Sequence, residues 1–178
     1  MQVNPAAEKP FFSAPQNTSD TLRDWSIFAC YASILILDMS NINLKVRLIL
    51  YNKGNILLLR QKKALGGNYT LVGGTIEDTE YALDSLIREA QEEAGIVLKE
   101  ENLHLVHVLH KRTKSNGHRI TLYFKANLWE GILNTGEPHK FKGVSWFSLE
   151  NLPTNLSDTV RHVLKEYREG KMYSEFKM

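Results

Sequence analysis

The segment from Gly73 to Ile96, GGTIEDTEYALDSLIREAQEEAGI, carries seven carboxylates behind a pair of glycines. Within it Leu83, Leu86, Ile87, Ala90 and Ala94 recur at the spacing of one helical face, and Gly95 follows the last of them. The pattern predicts an amphipathic helix from about Glu80 to Ala94, closed by a glycine. At about 100° per residue, Glu89, Glu92 and Glu93 share one arc, expected to point away from the Leu83/Ile87/Ala90 face. These acids lie towards the C-terminal end of the helix, where the macrodipole disfavours negative charge. No Lys or Arg follows any of them by four residues to relieve the repulsion. A solvated acidic face is the ordinary fate of a charge run, but these two features favour a cation site. Mg²⁺ or Mn²⁺ takes hard oxygen ligands and keeps places for water and substrate phosphates.

The rest of the chain mixes strands with a second helix. KVRLILYNKGNILLLRQKK places two apolar runs around Asn52-Lys53-Gly54-Asn55, a hairpin signal. Thr70 to Val72 reads as a short strand leading into Gly73-Gly74, and Leu103 to His110 as another. Ile120 to Trp129 alternates apolar and polar residues, and Val144 to Phe147 is a further short strand. Ser157 to Glu169 predicts a helix with Val160, Val163, Leu164 and Tyr167 inward. The class expected is α+β, with a mixed β-sheet between helices on both faces. Residues 1–42 are expected to be an N-terminal extension, largely flexible or peripheral, with Pro5, Pro10 and Pro15 in its first half. The folded domain is expected over 43–178, and Met39 is a candidate natural start.

Composition narrows the setting. One cysteine, Cys30, allows no disulfide within the chain, which suits a cytoplasmic protein. The net charge of +2 is too small to argue for nucleic-acid binding. The apolar run from Ile27 to Leu37 is too short to span a bilayer.

The acidic segment resembles the Nudix box, G-x5-E-x7-R-E-U-x-E-E-x-G-U, in which U is a bulky aliphatic residue. Gly74, Glu80, Arg88, Glu89, Ala90, Glu92, Glu93, Gly95 and Ile96 fill its positions, with Ala90 a small occupant. The resemblance extends over about residues 43–170 and implies an α/β/α sandwich and a hydrolase of diphosphates linked to another group. It implies Mg²⁺ or Mn²⁺ as cofactor, with Glu89, Glu92 and Glu93 as metal ligands beside a backbone carbonyl of Gly73 or Gly74. Glu80 and Arg88 resemble the pair that orients loop and helix. Glu137, in GEPHK, is the candidate for an additional catalytic acid. Where the family often has Leu-Pro-Gly-Gly, this chain has Leu71-Val72-Gly73-Gly74.

The box does not select the substrate. ADP-ribose hydrolases of this family commonly carry a proline about fifteen residues past the box, and here none occurs from Ile96 through Glu137. EPHK followed by SWFSLENLP resembles the MutT-like branch. The expected reaction is therefore cleavage of a nucleoside triphosphate to monophosphate and pyrophosphate. ADP-ribose, a dinucleoside polyphosphate or a nucleotide sugar is the alternative, and a non-catalytic nucleotide sensor a further one. Arg60, His110 and Arg112 are candidate substrate contacts with Gly73 and Gly74, and Lys111, Lys114, His118 and Arg119 flank the same loop as Arg112. Trp129, Trp146 and Phe147 are candidates for packing or for stacking on a base. His104, His107 and His110 recur every third residue, so they cannot all face one metal. The expected partner is a small-molecule nucleotide, with no membrane and no specific nucleic acid, bound by a monomer or homodimer.

Overall fold

The computed structural model describes residues 42–114 and 117–177. The expectations for the N-terminal extension, the Ile27–Leu37 run with Cys30 and the start at Met39 lie outside these residues. Two strands, β1 (Ile42–Asn52) and β2 (Asn55–Gln61), form the foreseen hairpin. Lys53 and Gly54 both take positive φ at its tip, 46° and 86°, the twist that a two-residue hairpin turn needs. Strand β3 (Tyr69–Thr70) and helix α1 (Ala82–Ala94) follow. Then come β4 (Ile96–Val97), β5 (His104–Arg112), β6 (His118–Ala126), β7 (Glu130–Gly131) and β8 (Phe141–Ser148). Helix α2 (Asp158–Arg168) and strand β9 (Tyr173–Lys177) complete the domain.

The main sheet runs β3-β2-β1-β6-β5-β9, with β8 on the far side of β2. It is mixed: β1 pairs with β6 and β5 with β9 in parallel, and the remaining pairs are antiparallel. Alternating side chains of β1 feed two cores. Val46, Leu48 and Leu50 meet Leu86, Ala90 and Ala94 of α1. Ile49 joins Leu58, Leu109 and Tyr123 under Val160, Val163 and Leu164 of α2. A helix thus covers each face, the expected α/β/α sandwich. Among the described residues no helix is long and apolar enough to cross a membrane.

Four local readings are corrected. Helix α1 begins at Ala82, not Glu80, which leaves Glu80 in the preceding turn. Strand β6 begins at His118 and ends at Ala126, before Trp129. Trp129 instead packs its ring on Trp146, centroids 5.7 Å apart, over the α1-side core. Strand β9 was not foreseen, because YSEFK is short and only Ser174 and Phe176 turn inward. The fourth correction concerns the carboxylate arc of α1, which is not an outward face.

Candidate active site

Strands β1 and β2 pair only next to their turn, at Tyr51↔Ile56 and Asn52↔Asn55, and then diverge. The segment after β3 fills the fork. Thr70 pairs with Leu59 of β2, while Val72 and Thr75 bridge to Leu48 and Lys45 of β1. Gly73 and Gly74 lie at its centre, for two different reasons. Gly73 has φ of 125°, and a Cβ there would fall 2.3 Å from Val46 O. A Cβ on Gly74 would fall 1.8 Å from Glu89 Oε1. The glycines supply the space into which the helix carboxylates fit.

Helix α1 therefore buries two stripes. The apolar stripe meets the sheet. The second, Ser85, Glu89 and Glu93 at four-residue spacing, runs along the backbone of residues 73–75. Ser85 Oγ donates to Thr75 O at 3.3 Å, Glu89 sits against Gly74, and Gly73 N donates to Glu93 Oε2 at 2.8 Å. Glu93 is only 6% exposed. Its burial, reinforced by the nearby Glu89 and Glu137 carboxylates, pushes its pKa up to about 7 against the opposing Gly73 N–H and Arg47. A carboxyl poised near neutrality is suited to exchanging a proton with water.

Arg88 braces the other side of the helix. Its Nε and Nη2 grip both oxygens of Glu80, at 2.6 and 3.0 Å. This bidentate pair holds the Glu80 carboxyl down at about 2 and raises the guanidinium further above its ordinary range. Nη1 spans Glu89 Oε1 and Glu92 Oε2, at 3.3 and 3.2 Å. Among the described residues no three His, Cys, Asp or Glu side chains converge as a ready-made cation cage. Arg88 supplies the positive charge between Glu89 and Glu92.

Glu137 reaches the cluster on a loop docked to the C-terminal end of α1. Asn134 N and Gly136 N donate to the helix-end carbonyls of Ala94 and Glu93, at 3.1 and 3.3 Å. A Cβ on Gly136 would lie 1.9 Å from Glu92 O, so only glycine allows this approach. Glu137 Oε1 takes the ammonium of Lys140 at 2.7 Å, and its buried Oε2 has no hydrogen-bond partner. Of the glycine-pair carbonyls, Gly74 O accepts from Val46 N at 3.0 Å, whereas no described donor reaches Gly73 O.

The structure thus brings together Glu89, Glu93, Glu137, Gly73 and Gly74, with Arg88 and Glu92 at the rim. No described contact links Arg60, His110 or Arg112 to them. Arg60 is exposed and lies over the Tyr69 ring. His110 Nε2 and His118 Nδ1 are hydrogen-bonded at 2.8 Å on the α1 face of the sheet, and Arg112 pairs with His118 there in the strand register. His107 is buried on the other face between Lys171 O and Ser174 Oγ, each at 2.8 Å. Phe147 is engaged edge-on by Tyr69 at 4.8 Å, and Trp129 and Trp146 by each other.

Sequence reading missed Lys45 and Arg47. Both stand on the α2 face of β1. Lys45 Nζ donates to Thr75 Oγ1 at 2.9 Å, and Arg47 acts on Glu93. Their alternation with Leu44, Val46 and Leu48 was visible, but an alternating cation on a strand ordinarily means solvent.

The NUDIX domain model matches residues 42–167. The chain is 30% identical over 124 residues to an ADP-ribose pyrophosphatase of Methanocaldococcus jannaschii, covering 69% of this chain and 71% of that one. Its fold resembles the crystal structure of a MutT NUDIX hydrolase from Burkholderia pseudomallei, with TM-score 0.64 and 26% identity over 70% of this chain and 96% of that one. A MutT protein from Bacillus halodurans shares the fold at TM-score 0.62 and 22% identity, covering 76% and 89%.

Proposed function

The chain belongs to the Nudix family of hydrolases, and from that premise we propose that it hydrolyses a nucleoside triphosphate to monophosphate and pyrophosphate by water attack at phosphorus. The observation that carries this reading is the gathering of Glu89, Glu93 and Glu137 at the glycine pair, with Glu93 poised at about 7. Family members work with divalent cations, and the donors present fit one. They are hard carboxylate oxygens, including the unpartnered buried Oε2 of Glu137. Glu89, Glu92 and Glu93, with the carbonyl of Gly73, which no described donor reaches, are the residues that would hold Mg²⁺ or Mn²⁺. Such an ion neutralises phosphate charge and makes a bound water more acidic.

The chain's own groups do the rest. Glu93 or Glu137 accepts the proton of the attacking water. Arg88, fixed by Glu80, keeps Glu89 and Glu92 in place. Lys45 and Arg47 supply positive charge towards the phosphate chain. The small domain with EPHK and SWFSLENLP supports a MutT-like substrate. The single cysteine supports a cytoplasmic setting.

A second reading, ADP-ribose, is favoured by the archaeal relative's named activity. A panel of nucleoside triphosphates, ADP-ribose, dinucleoside polyphosphates and nucleotide sugars, with Mg²⁺ or Mn²⁺, separates the two. Monophosphate and pyrophosphate from one triphosphate, lost in Glu92→Gln and Glu93→Gln, are expected. Turnover of ADP-ribose alone would replace this reading by the second, and no turnover of any compound would refute both.

A further inference from the structure

The chain has six histidines. His107 and His162 both engage the Ser174 hydroxyl, His139 lies 3.7 Å from Glu137, and His104 stands exposed at the start of β5. The remaining two, His110 and His118, meet each other. His110 Nε2 and His118 Nδ1 are 2.8 Å apart, with the ring planes inclined by 29°. A neutral imidazole has one N–H and one lone pair, so one ring donates to the other. Each ring can instead carry its proton on its second nitrogen, His110 on Nδ1 and His118 on Nε2. Two lone pairs then point at the place of the shared proton.

The backbone fixes this meeting. In the β5–β6 ladder His110 stands across from Ile120, and Arg112 across from His118. The two histidines are therefore diagonal neighbours on one face, within side-chain reach. Thr113 N donates to Gly117 O at 2.9 Å and closes the hairpin just beyond them. His118 is exposed and His110 half-buried, so the facing nitrogens are open to solvent on one side. Rings whose nitrogens stand 2.8 Å apart need part by only about 0.6 Å to hold a tetrahedral ion, whose bonds of ~2.1 Å separate two nitrogens by about 3.4 Å. Side-chain torsions supply that much without moving either strand.

The surroundings select the ion. Glu175 stands across from His110 on β9 and takes the Tyr173 hydroxyl at 2.9 Å. Arg112 and Lys177 face each other one step further along the same face. With two cations beside one carboxylate, Coulomb attraction gives a dication little, and the ligand bonds themselves must hold it. Imidazole nitrogen binds Cu²⁺ and Zn²⁺ strongly, whereas Mg²⁺ prefers oxygen and keeps its waters. Among the described residues no third His, Cys, Asp or Glu side chain joins the pair, which leaves the other positions to water and makes the ion exchangeable.

We propose that His110 Nε2 and His118 Nδ1 are the protein ligands of one transition-metal ion, Cu²⁺ or Zn²⁺, at a site separate from the carboxylate cluster. The site stands independently of the hydrolase reading.

The test titrates the full chain with Cu²⁺, and separately with Zn²⁺, in millimolar Mg²⁺ to occupy the oxygen donors. The electron paramagnetic resonance spectrum of the first Cu²⁺ bound should show coupling to two imidazole nitrogens. By calorimetry, His110→Gln and His118→Gln should each weaken Zn²⁺ binding at least tenfold. His104→Gln, and His139→Gln beside Glu137, should leave it unchanged. Coupling to fewer than two nitrogens, or a loss smaller than tenfold in either of the first two variants, would overturn the proposal. The spectrum is read on the native chain, so it decides even where a substitution disturbs the fold.

Discussion

Replacing Glu93 by Gln should stabilise the metal-free protein and disable it at once. The Glu93 carboxyl is raised from 4.5 to about 7 in the folded chain. Between those values the folded protein holds a proton that the unfolded chain releases, so stability falls as pH rises through that window. The difference from 4.5 to about 7 converts to about 3.5 kcal/mol at ~1.4 kcal/mol per pH unit. Local relaxation around the ionised group brings the expectation to about 1.5–3 kcal/mol. Glutamine keeps the shape and still accepts the Gly73 N–H, but it never ionises. Urea denaturation in chelator should find the two proteins within about 0.5 kcal/mol of each other at pH 4.5. At pH 8 the variant should be more stable by that 1.5–3 kcal/mol. With millimolar Mg²⁺ the order should reverse, because a cation that binds only the native carboxylate adds stability to the native protein alone. A stability difference that stays flat from pH 4.5 to 8, or is larger at the acid end, would refute the assignment of Glu93 as a buried, proton-holding carboxyl.

The three glycines of the site should fail in different ways. Gly74→Ala pushes only the flexible end of Glu89, so stability should drop by less than ~1 kcal/mol while kcat falls by about 100-fold as the carboxylate loses its place. Gly73→Ala combines a positive φ with a clash against Val46 O and should cost about 2–3 kcal/mol in denaturant melts. Equal stability of the two variants would contradict this division. Gly136→Ala meets the Glu92 carbonyl, so the Glu137 loop must back away. Steady-state kinetics should show about a 10–100-fold loss in kcat with the helical circular dichroism unchanged, and full activity would mean that Glu137 is not needed.

Much of this arrangement is legible in the residue order because it is local. The Leu83-to-Ala94 period, the Lys53-Gly54 turn and the Gly95 stop each depend on neighbours a few positions away. The glycine pair and the acidic helix could be recognised together because the box fixes their spacing. What could not be read is how the helix turns about its axis against the backbone of residues 73–75. A hydrophobicity period assigns Glu89 and Glu93 outward because it counts only apolar partners. The one local clue was Ser85, a small polar residue four positions before Glu89, which is fully buried. Lys111 and Arg119 looked like tips of one loop with Arg112 and His118. Strand alternation sends the first pair to the α2 face and the second pair to the α1 face. That separation follows from where β5 ends and β6 begins, which composition does not mark.

The crowding of like charges on α1 is relieved residue by residue rather than by one counter-ion. Glu80 lies outside the helix and takes two of the three guanidinium nitrogens of Arg88. Glu92 is half-exposed and shares the third nitrogen with Glu89. Burial raises the Glu93 carboxyl to about 7, so its charge near neutrality weighs less on its neighbours than that of an ordinary carboxylate. This division has a mechanical consequence. Only Nη1 lies between Glu89 and Glu92, so freeing those two carboxylates breaks the two longer contacts, at 3.3 and 3.2 Å, and leaves the grip on Glu80 intact. Arg88 can therefore offset the charge of Glu89 and Glu92 and release these two carboxylates, proposed above as cation ligands, without losing its own anchor. That explains why the arginine is paired with an acid from outside the helix, Glu80, the one acidic box position that α1 does not include.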